Sequence, residues 1–383
     1  MWKYITNRIL FAILTLAIIS FFVFVLTSIS PNNPVLKKST DEFLAAKNSG
    51  SQVTLNEILM KNEAIYGFRY STKVGSELVP GAKIPVVVRF FIYIGNFFKG
   101  EFGPYIKADQ NLVLSQYKNI PELFFIPLKT TLIVTVPSLF ASMALGLTLG
   151  IVSGYKRGKL FDNFTNVFVL IFISVPSFVV APIAIAVALK LGITPKIPRY
   201  GGDATITYSE YILAYLPPIT VMTLSSLAAF AISSRNVVIT VLTSNYVLIA
   251  KTKGLSQKQI FFKYVARNIS IPLFGLIFGS LLGLLSGSII IERFWDINGT
   301  SQVITDAFST GEIYVIMFST IIFTSIGLLA AIIVDVAYAI LDPKITYTTK
   351  SKRNYTIFFK NWLLRRKLIR ERFPKTKGVA NAA

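Results

Sequence analysis

The 383-residue sequence predicts an all-α integral membrane protein with six spanning helices. Composition, segment length and basic loops carry that reading. Hydrophobic residues make up 53% and charged residues only 15% of the chain, with a mean hydropathy of +0.61, too apolar for the surface of a soluble globule. Six apolar stretches reach the ~20 residues that a helix needs to cross a bilayer. Short Lys/Arg-rich loops between them set the orientation.

The first stretch, Ile9 to Ile29, follows Lys3 and Arg8. Its apolar run is longer than the core of a secretory signal, and no small-residue cleavage pattern follows, so it is read as a retained helix. The others are Thr131 to Ser153, Phe164 to Leu189, Tyr211 to Ile232, Pro272 to Ile291 and Tyr314 to Ile340. Lys156, Arg157 and Lys159 sit in one short loop, and Lys251, Lys253, Lys258, Lys263 and Arg267 in another. Both are expected in the cytoplasm. An even number of spans then puts both termini there and the long segment 31–127 outside. Within that segment, helical pattern around Asp41 to Lys47 and Leu55 to Ala64, with turn residues Gly67, Gly75, Pro80 and Gly81, suggests a small external subdomain. A disordered loop is the alternative.

The second stretch carries Gly146, Gly150 and Gly154, and the fifth Gly275, Gly279, Gly283 and Gly287. Spacing of four keeps small residues on one helix face, where a neighbouring backbone can approach within lipid. These faces are expected to pack against protein, as helix contacts or at a subunit interface. Asp335 and Lys190 are the charged residues within spans, each within about two turns of an end, where pairing or snorkelling suffices. A proton- or ion-coupled carrier would place such groups nearer the midplane. Ser225, Ser226, Ser280, Ser286 and Ser288 could line a polar path, but serines that bond back to their own helix are the simpler reading.

The chain has no cysteine and no histidine, which removes thiolate sites, the usual general base and the commonest metal ligand. No enzymatic site and no cofactor of its own are expected. The net charge of +21 lies in loops and a tail beside apolar spans, where it meets anionic lipid rather than nucleic acid. In the tail 344–383, Ile357, Phe358, Phe359, Trp362, Leu363, Leu364 and Ile369 are interspersed with Lys360, Arg365, Arg366, Lys367, Arg370 and Arg372, read as a basic amphipathic helix on the inner leaflet.

The most informative stretch is Asn245 to Pro272. Tyr246, Leu248 and Ile249, then Ile260, Phe261, Tyr264 and Val265, recur at helical spacing. Gly254 lies between the two groups and suits a helix stop with positive φ. Ser256 and Gln259 form a capping-box pair. Two short helices with a sharp bend at Gly254 and Leu255 are expected, a knob at the membrane surface. An ordinary amphipathic cytoplasmic loop is the plainer alternative.

Tyr246, Val247, Ala250, Lys253, Gly254, Leu255, Ser256, Asn268 and Pro272 resemble the signature loop of ABC-transporter membrane subunits of the dipeptide/oligopeptide permease family, with Asn245 where an acidic residue is frequent. Ile29 to Pro34, Tyr93 to Gly103, Ser174 to Phe178, Leu216 to Pro218, Glu292 with Phe294, and Asp335 to Pro343 resemble further family motifs. Phe294 to Gln302 lacks the proline-glycine-leucine-glycine run usual there. Resemblance covers roughly 1–35 and 90–345.

The resemblance implies a type I ABC importer permease fold. Residues 1–30 would form the first spanning helix and 128–343 the permease core, with a coupling loop at 233–271. Ala250, Lys253, Gly254, Leu255 and Ser256 would couple it to the ATPase. The implied partners are a homologous second permease, two ATP-binding subunits carrying ATP and Mg, an external solute-binding lipoprotein and membrane lipid, in a bacterial cell membrane. No phosphate-binding G-x-x-x-x-G-K-[ST] stretch occurs, in keeping with hydrolysis on a separate subunit. The implied function is uptake of oligopeptides, dipeptides or a related solute. An ATP-independent carrier or channel is the alternative, and a membrane scaffold without transport a third.

Overall fold

A computed structural model describes residues 2–30, 33–74, 77–106, 117–197, 207–341 and 355–372. Pro31, Asn32, Gly75, Asp342 and Pro343, noted in the sequence, lie outside these. Among the described residues, five helices are long and apolar enough to cross a membrane, and a bent pair makes a sixth if it counts as one span.

Helix α1 (Trp2–Ile29) exposes Leu10, Phe11, Phe22 and Ile29, as a helix facing lipid does. Just after its end, the Asn33 side chain accepts from the backbone N–H of Val35 and Leu36 at 3.0 and 3.3 Å, capping α2 (Pro34–Asn48). Helix α3 (Leu55–Ile65) begins with a capping box between Thr54 and Glu57. An antiparallel hairpin follows, β1 (Arg69–Val74) with β2 (Glu77–Lys83), a small addition to a mostly helical chain. Pro80 and Gly81, read as turn residues, lie within β2. In a two-stranded ribbon each strand is an edge, so a residue without N–H is tolerated. Helix α4 (Val86–Phe98) is apolar but too short to span.

Helix α5 (Ile120–Tyr155) has 36 residues; at 1.5 Å each it is about 54 Å long, well beyond the ~30 Å hydrocarbon layer. The third expected span is broken. Helix α6 (Leu160–Ser174) and α7 (Ser177–Lys190) meet at 103°. Pro176 holds the preceding Val175 in an extended conformation, φ −88 and ψ 116. Helix α8 (Tyr208–Ala214) leads into α9 (Leu216–Leu242), which runs ten residues beyond the expected Ile232.

After α10 (Asn245–Thr252) and α11 (Gln257–Ile260), a π-helical turn over Phe261–Val265 joins directly to α12 (Ala266–Ser286). The fifth span therefore begins well before Pro272, which lies inside it, and ends before Ile291. Gly287, at φ +69, stops it. Short helices α13 (Ile289–Phe294) and α14 (Thr300–Thr310) precede α15 (Ile313–Leu341). Helix α16 (Tyr355–Arg372) forms in the tail. Of its described side chains, the exposed Phe359, Trp362, Leu363, Leu364, Leu368 and Ile369 are distributed around the helix by their spacing rather than gathered on one face.

Two of the apolar clusters in the bundle lie at opposite ends of α5. Phe24, Phe90, Tyr93, Leu123 and Phe124 pack with Tyr314 to Phe318, joining α1, α4, α5 and α15 near one end. At the opposite end of α5 a second cluster joins α5, α9, α10 and α12. There Arg8 Nη2 also meets Asp335 at 2.9 Å, the pairing expected of a charge near a span end.

Candidate functional site

Helix α10 ends in a Schellman motif. The Gly254 N–H bonds the Lys251 carbonyl at 3.0 Å and the Leu255 N–H bonds that of Ala250 at 3.2 Å. Gly254 sits at φ +77, the left-handed conformation this motif requires. Two residues later Ser256 and Gln259 cap each other reciprocally: Ser256 N–H donates to Gln259 Oε1 at 2.9 Å and Gln259 N–H to Ser256 Oγ at 3.4 Å. The chain reverses at Gly254 and Leu255, as the sequence predicts. The second arm is not a separate helix but the start of the fifth span.

The knob's inner face is made by Val247, Ala250, Ile260 and Val265, which pack with Val238 and Val241 of α9, Leu139 of α5 and Ile269 of α12. Ala250 is thus a buried bracing residue, 3% exposed. Lys253, Gly254 and Ser256 are exposed, and Leu255 is half-buried. Tyr246, Leu248 and Ile249 form the outer face, 44, 48 and 56% exposed. Sequence spacing had grouped these three as the amphipathic stripe, because periodicity finds a stripe without saying which side faces protein. The Tyr246 ring meets that of Tyr264 at a tilt of 39°, ring centres 5.8 Å apart. The Asn268 side chain donates to the Tyr264 carbonyl at 2.7 Å, satisfying a backbone group next to the π-helical turn.

The helices that receive the knob are tightly joined. A methyl group on Gly146 would lie 2.6 Å from the Leu227 carbonyl oxygen, and one on Gly154 2.7 Å from Val238. Gly150 is closer still, against Ser234 Oγ and the Ala231 carbonyl. These three glycines fit α5 against α9 of the same chain, the most extensive helix pairing in the structure. Gly275 lies against the Tyr338 hydroxyl of α15, whereas Gly279 has open space where a Cβ would be. Gly287 ends α12 and is closely packed there, against Glu292 and Thr131 of α5. Ser225 and Ser280 bond back to Val221 and Leu276 of their own helices.

The residue pair that sequence reasoning missed is Asp162 with Arg235. It ties the start of α6 to α9, one turn from where Val238 meets the knob. Ending the fourth span at Ile232 had left Arg235 unassigned. An arginine closing an apolar run was the available signal.

Residues 146–347 match the family described as binding-protein-dependent transport system inner membrane component. The chain is 30% identical over 353 residues to the oligopeptide transport system permease protein OppB of Mycoplasma genitalium, covering 92% of this chain and 78% of that one. It is 27% identical to the dipeptide transport system permease protein DppB of Lactococcus lactis, covering 90% and 99%. The OppB protein of Haemophilus influenzae is likewise 27% identical, with 91% and 100% covered.

Proposed function

The chain belongs to the family of binding-protein-dependent transport system inner membrane components, and on that premise we propose that it is the permease subunit of an ATP-driven importer of oligopeptides or dipeptides. The carrying observation is the knob at Gly254. Its buried face is locked to α5, α9 and α12, and its other face presents Tyr246, Leu248, Ile249 and Lys253. A rigid projection with exposed apolar side chains is a protein-docking surface. A partner gripping it would move three spans together.

On this reading the partner is an ATP-binding subunit. Two of these hold ATP and Mg, while this chain and a homologous permease form the pathway. Gly279 offers a small-residue position for that second permease. The Lys/Arg-rich loops and both termini are cytoplasmic. Segment 31–127 then lies outside, where an external binding protein delivers solute.

The test is purification of the tagged protein from its own cells in mild detergent, followed by transport and ATPase assays with and without Gly254→Arg. A homologous permease and ATPases should co-purify, and the arginine should release the ATPases or separate hydrolysis from uptake. If no ATPase accompanies the protein and the substitution is silent, an ATP-independent carrier replaces this reading.

A further inference from the structure

A cavity of about 210 Å³ opens where α1 ends, between that end, the hairpin segment, α4 and the start of α15. Arg89 of α4 lines it and is 7% exposed. Its Nη2 donates to Ser28 Oγ at 2.7 Å, and its guanidinium carbon lies 4.3 Å from the Phe68 ring centre and 5.3 Å from that of Phe24. Its buried Nε has no hydrogen-bond partner. The acid that shares the cavity, Glu63, is already engaged by Arg69 at 2.5 Å and Lys83 at 3.2 Å. One carboxylate therefore faces three cations, and no ion pair to Arg89 occurs among the described residues. Burial lowers the affinity of Arg89 for its proton, and the nearby Tyr314 and Glu63 offset that only in part. A buried guanidinium without an anion is costly, and its planar fork fits phosphate or carboxylate.

The surroundings specify which anion. The cavity sits at the C-terminal end of the apolar helix α1. Beside it, Leu26 and Ile29 of α1 and Val87 and Phe91 of α4 expose apolar side chains. A phospholipid has that pairing of groups, an anionic phosphodiester next to apolar chains.

We propose that the cavity holds the phosphate of a membrane phospholipid, with Arg89 and Lys83 as its cationic contacts and acyl chains along α1 and α4. That the lipid belongs to the outer leaflet rests on the orientation proposed above; the site itself does not. Aromatic faces and Ser28 hold Arg89 in place, and Glu63 holds Lys83 at the rim.

The probe is dioleoylphosphatidylglycerol, titrated into the detergent-purified complex and counted by native mass spectrometry, with inorganic phosphate at matched ionic strength as a second arm. Charge-assisted hydrogen bonds to a phosphate make binding of the first lipid about tenfold weaker in Arg89→Gln than in wild type. Lys83→Gln, at an exposed position, is expected to weaken it to a smaller degree, and Arg89→Lys to retain part of it. Displacement of the lipid by inorganic phosphate alone, with the same dependence on Arg89, supports the phosphate site and assigns it to the free ion. Equal lipid titrations in wild type, Lys83→Gln and Arg89→Lys overturn the proposal, even if Arg89→Gln fails to fold. The outcome is independent of Gly254→Arg, so failure of the coupling reading leaves it standing.

Discussion

Asp162 and Arg235 face each other in a two-point fork, with Nε 2.7 Å from Oδ1 and Nη2 2.9 Å from Oδ2. Asp162 is 2% exposed. It also accepts from Ser153 Oγ of α5, from the Gly158 N–H at 2.9 Å and from Asn166 of its own helix at 3.4 Å. One carboxylate thus fastens α5, α6 and α9 at the end where α9 turns into α10. The aligned fork restricts rotation of α9 relative to α6 in a way that apolar packing alone does not.

Removing one side of this pair strands the other. Asp162→Ala leaves Arg235 facing a largely dry junction and is expected to cost about 3 kcal/mol, the low end for a broken buried pair because Arg235 retains some solvent access. Arg235→Ala should cost a similar amount. The double variant should be at least ~1 kcal/mol more stable than the sum of the single losses predicts, as for groups in direct contact. Thermal unfolding of the four proteins in one detergent measures this coupling; strict additivity would make the fork energetically idle.

Glycine substitutions should separate two faces that spacing alone treats alike. Gly150→Ala pushes a methyl into Ser234 and the Ala231 carbonyl, so α5 and α9 must part, at about 1–3 kcal/mol. Gly279→Ala meets nothing within 4 Å and should leave the subunit's own melting temperature unchanged. If Gly279 faces the second permease, Gly279→Leu lowers recovery of that partner in co-purification without lowering the melting temperature. A Gly279→Leu chain that unfolds early would place the face inside the subunit.

Much of the architecture was legible because its signals are local. Apolar length gave the spans, and Gly254, Ser256 and Gln259 gave the reversal, since each satisfies backbone groups within four residues of itself. Boundaries failed where a continuous helix crosses from apolar to polar sequence. Helix α9 keeps winding past Ile232, and α12 starts before Pro272 through a π-helical turn. The break at Val175 and Pro176 lay in a motif whose proline was on view, but the 103° bend depends on what α6 and α7 pack against. The Asp162 fork joins residues 73 positions apart. No periodicity reports such a contact.

The strain at Gly254 is separable from docking. A methyl there meets nothing within 4 Å, so Gly254→Ala pays only for the left-handed backbone, about 1 kcal/mol. On the proposed reading, coupling to the ATPase should stay close to wild type. Asn, which tolerates that conformation, should be milder still. Gly254→Arg adds a long charged side chain to the exposed tip and should lose coupling. Transport per ATP hydrolysed, compared across the three variants, distinguishes steric blocking of the partner from unwinding of the knob, which would make alanine nearly as harmful as arginine.

Glu292 provides a pH test outside the spanning helices. It is 3% exposed, and its carboxylate accepts from Thr131 Oγ1 at 2.9 Å, from Ser301 Oγ and from the Gln302 N–H at 3.1 Å. Gly287 and Gly299 press against it so closely that neither has room for a methyl. Burial pushes its affinity for a proton up, and these hydrogen bonds oppose the shift without cancelling it. A carboxyl group with a raised folded value binds its proton more tightly folded than unfolded, so its contribution to stability is largest at low pH. That contribution falls as pH rises from about 4.5, the ordinary glutamate value, to the folded value, and is constant above it. Glu292→Gln does not titrate. The melting temperature of wild type minus that of Glu292→Gln should therefore decline as pH rises through this window and then level off. A difference that grows with pH would mean that the three donors outweigh burial and hold the group as a stabilised anion.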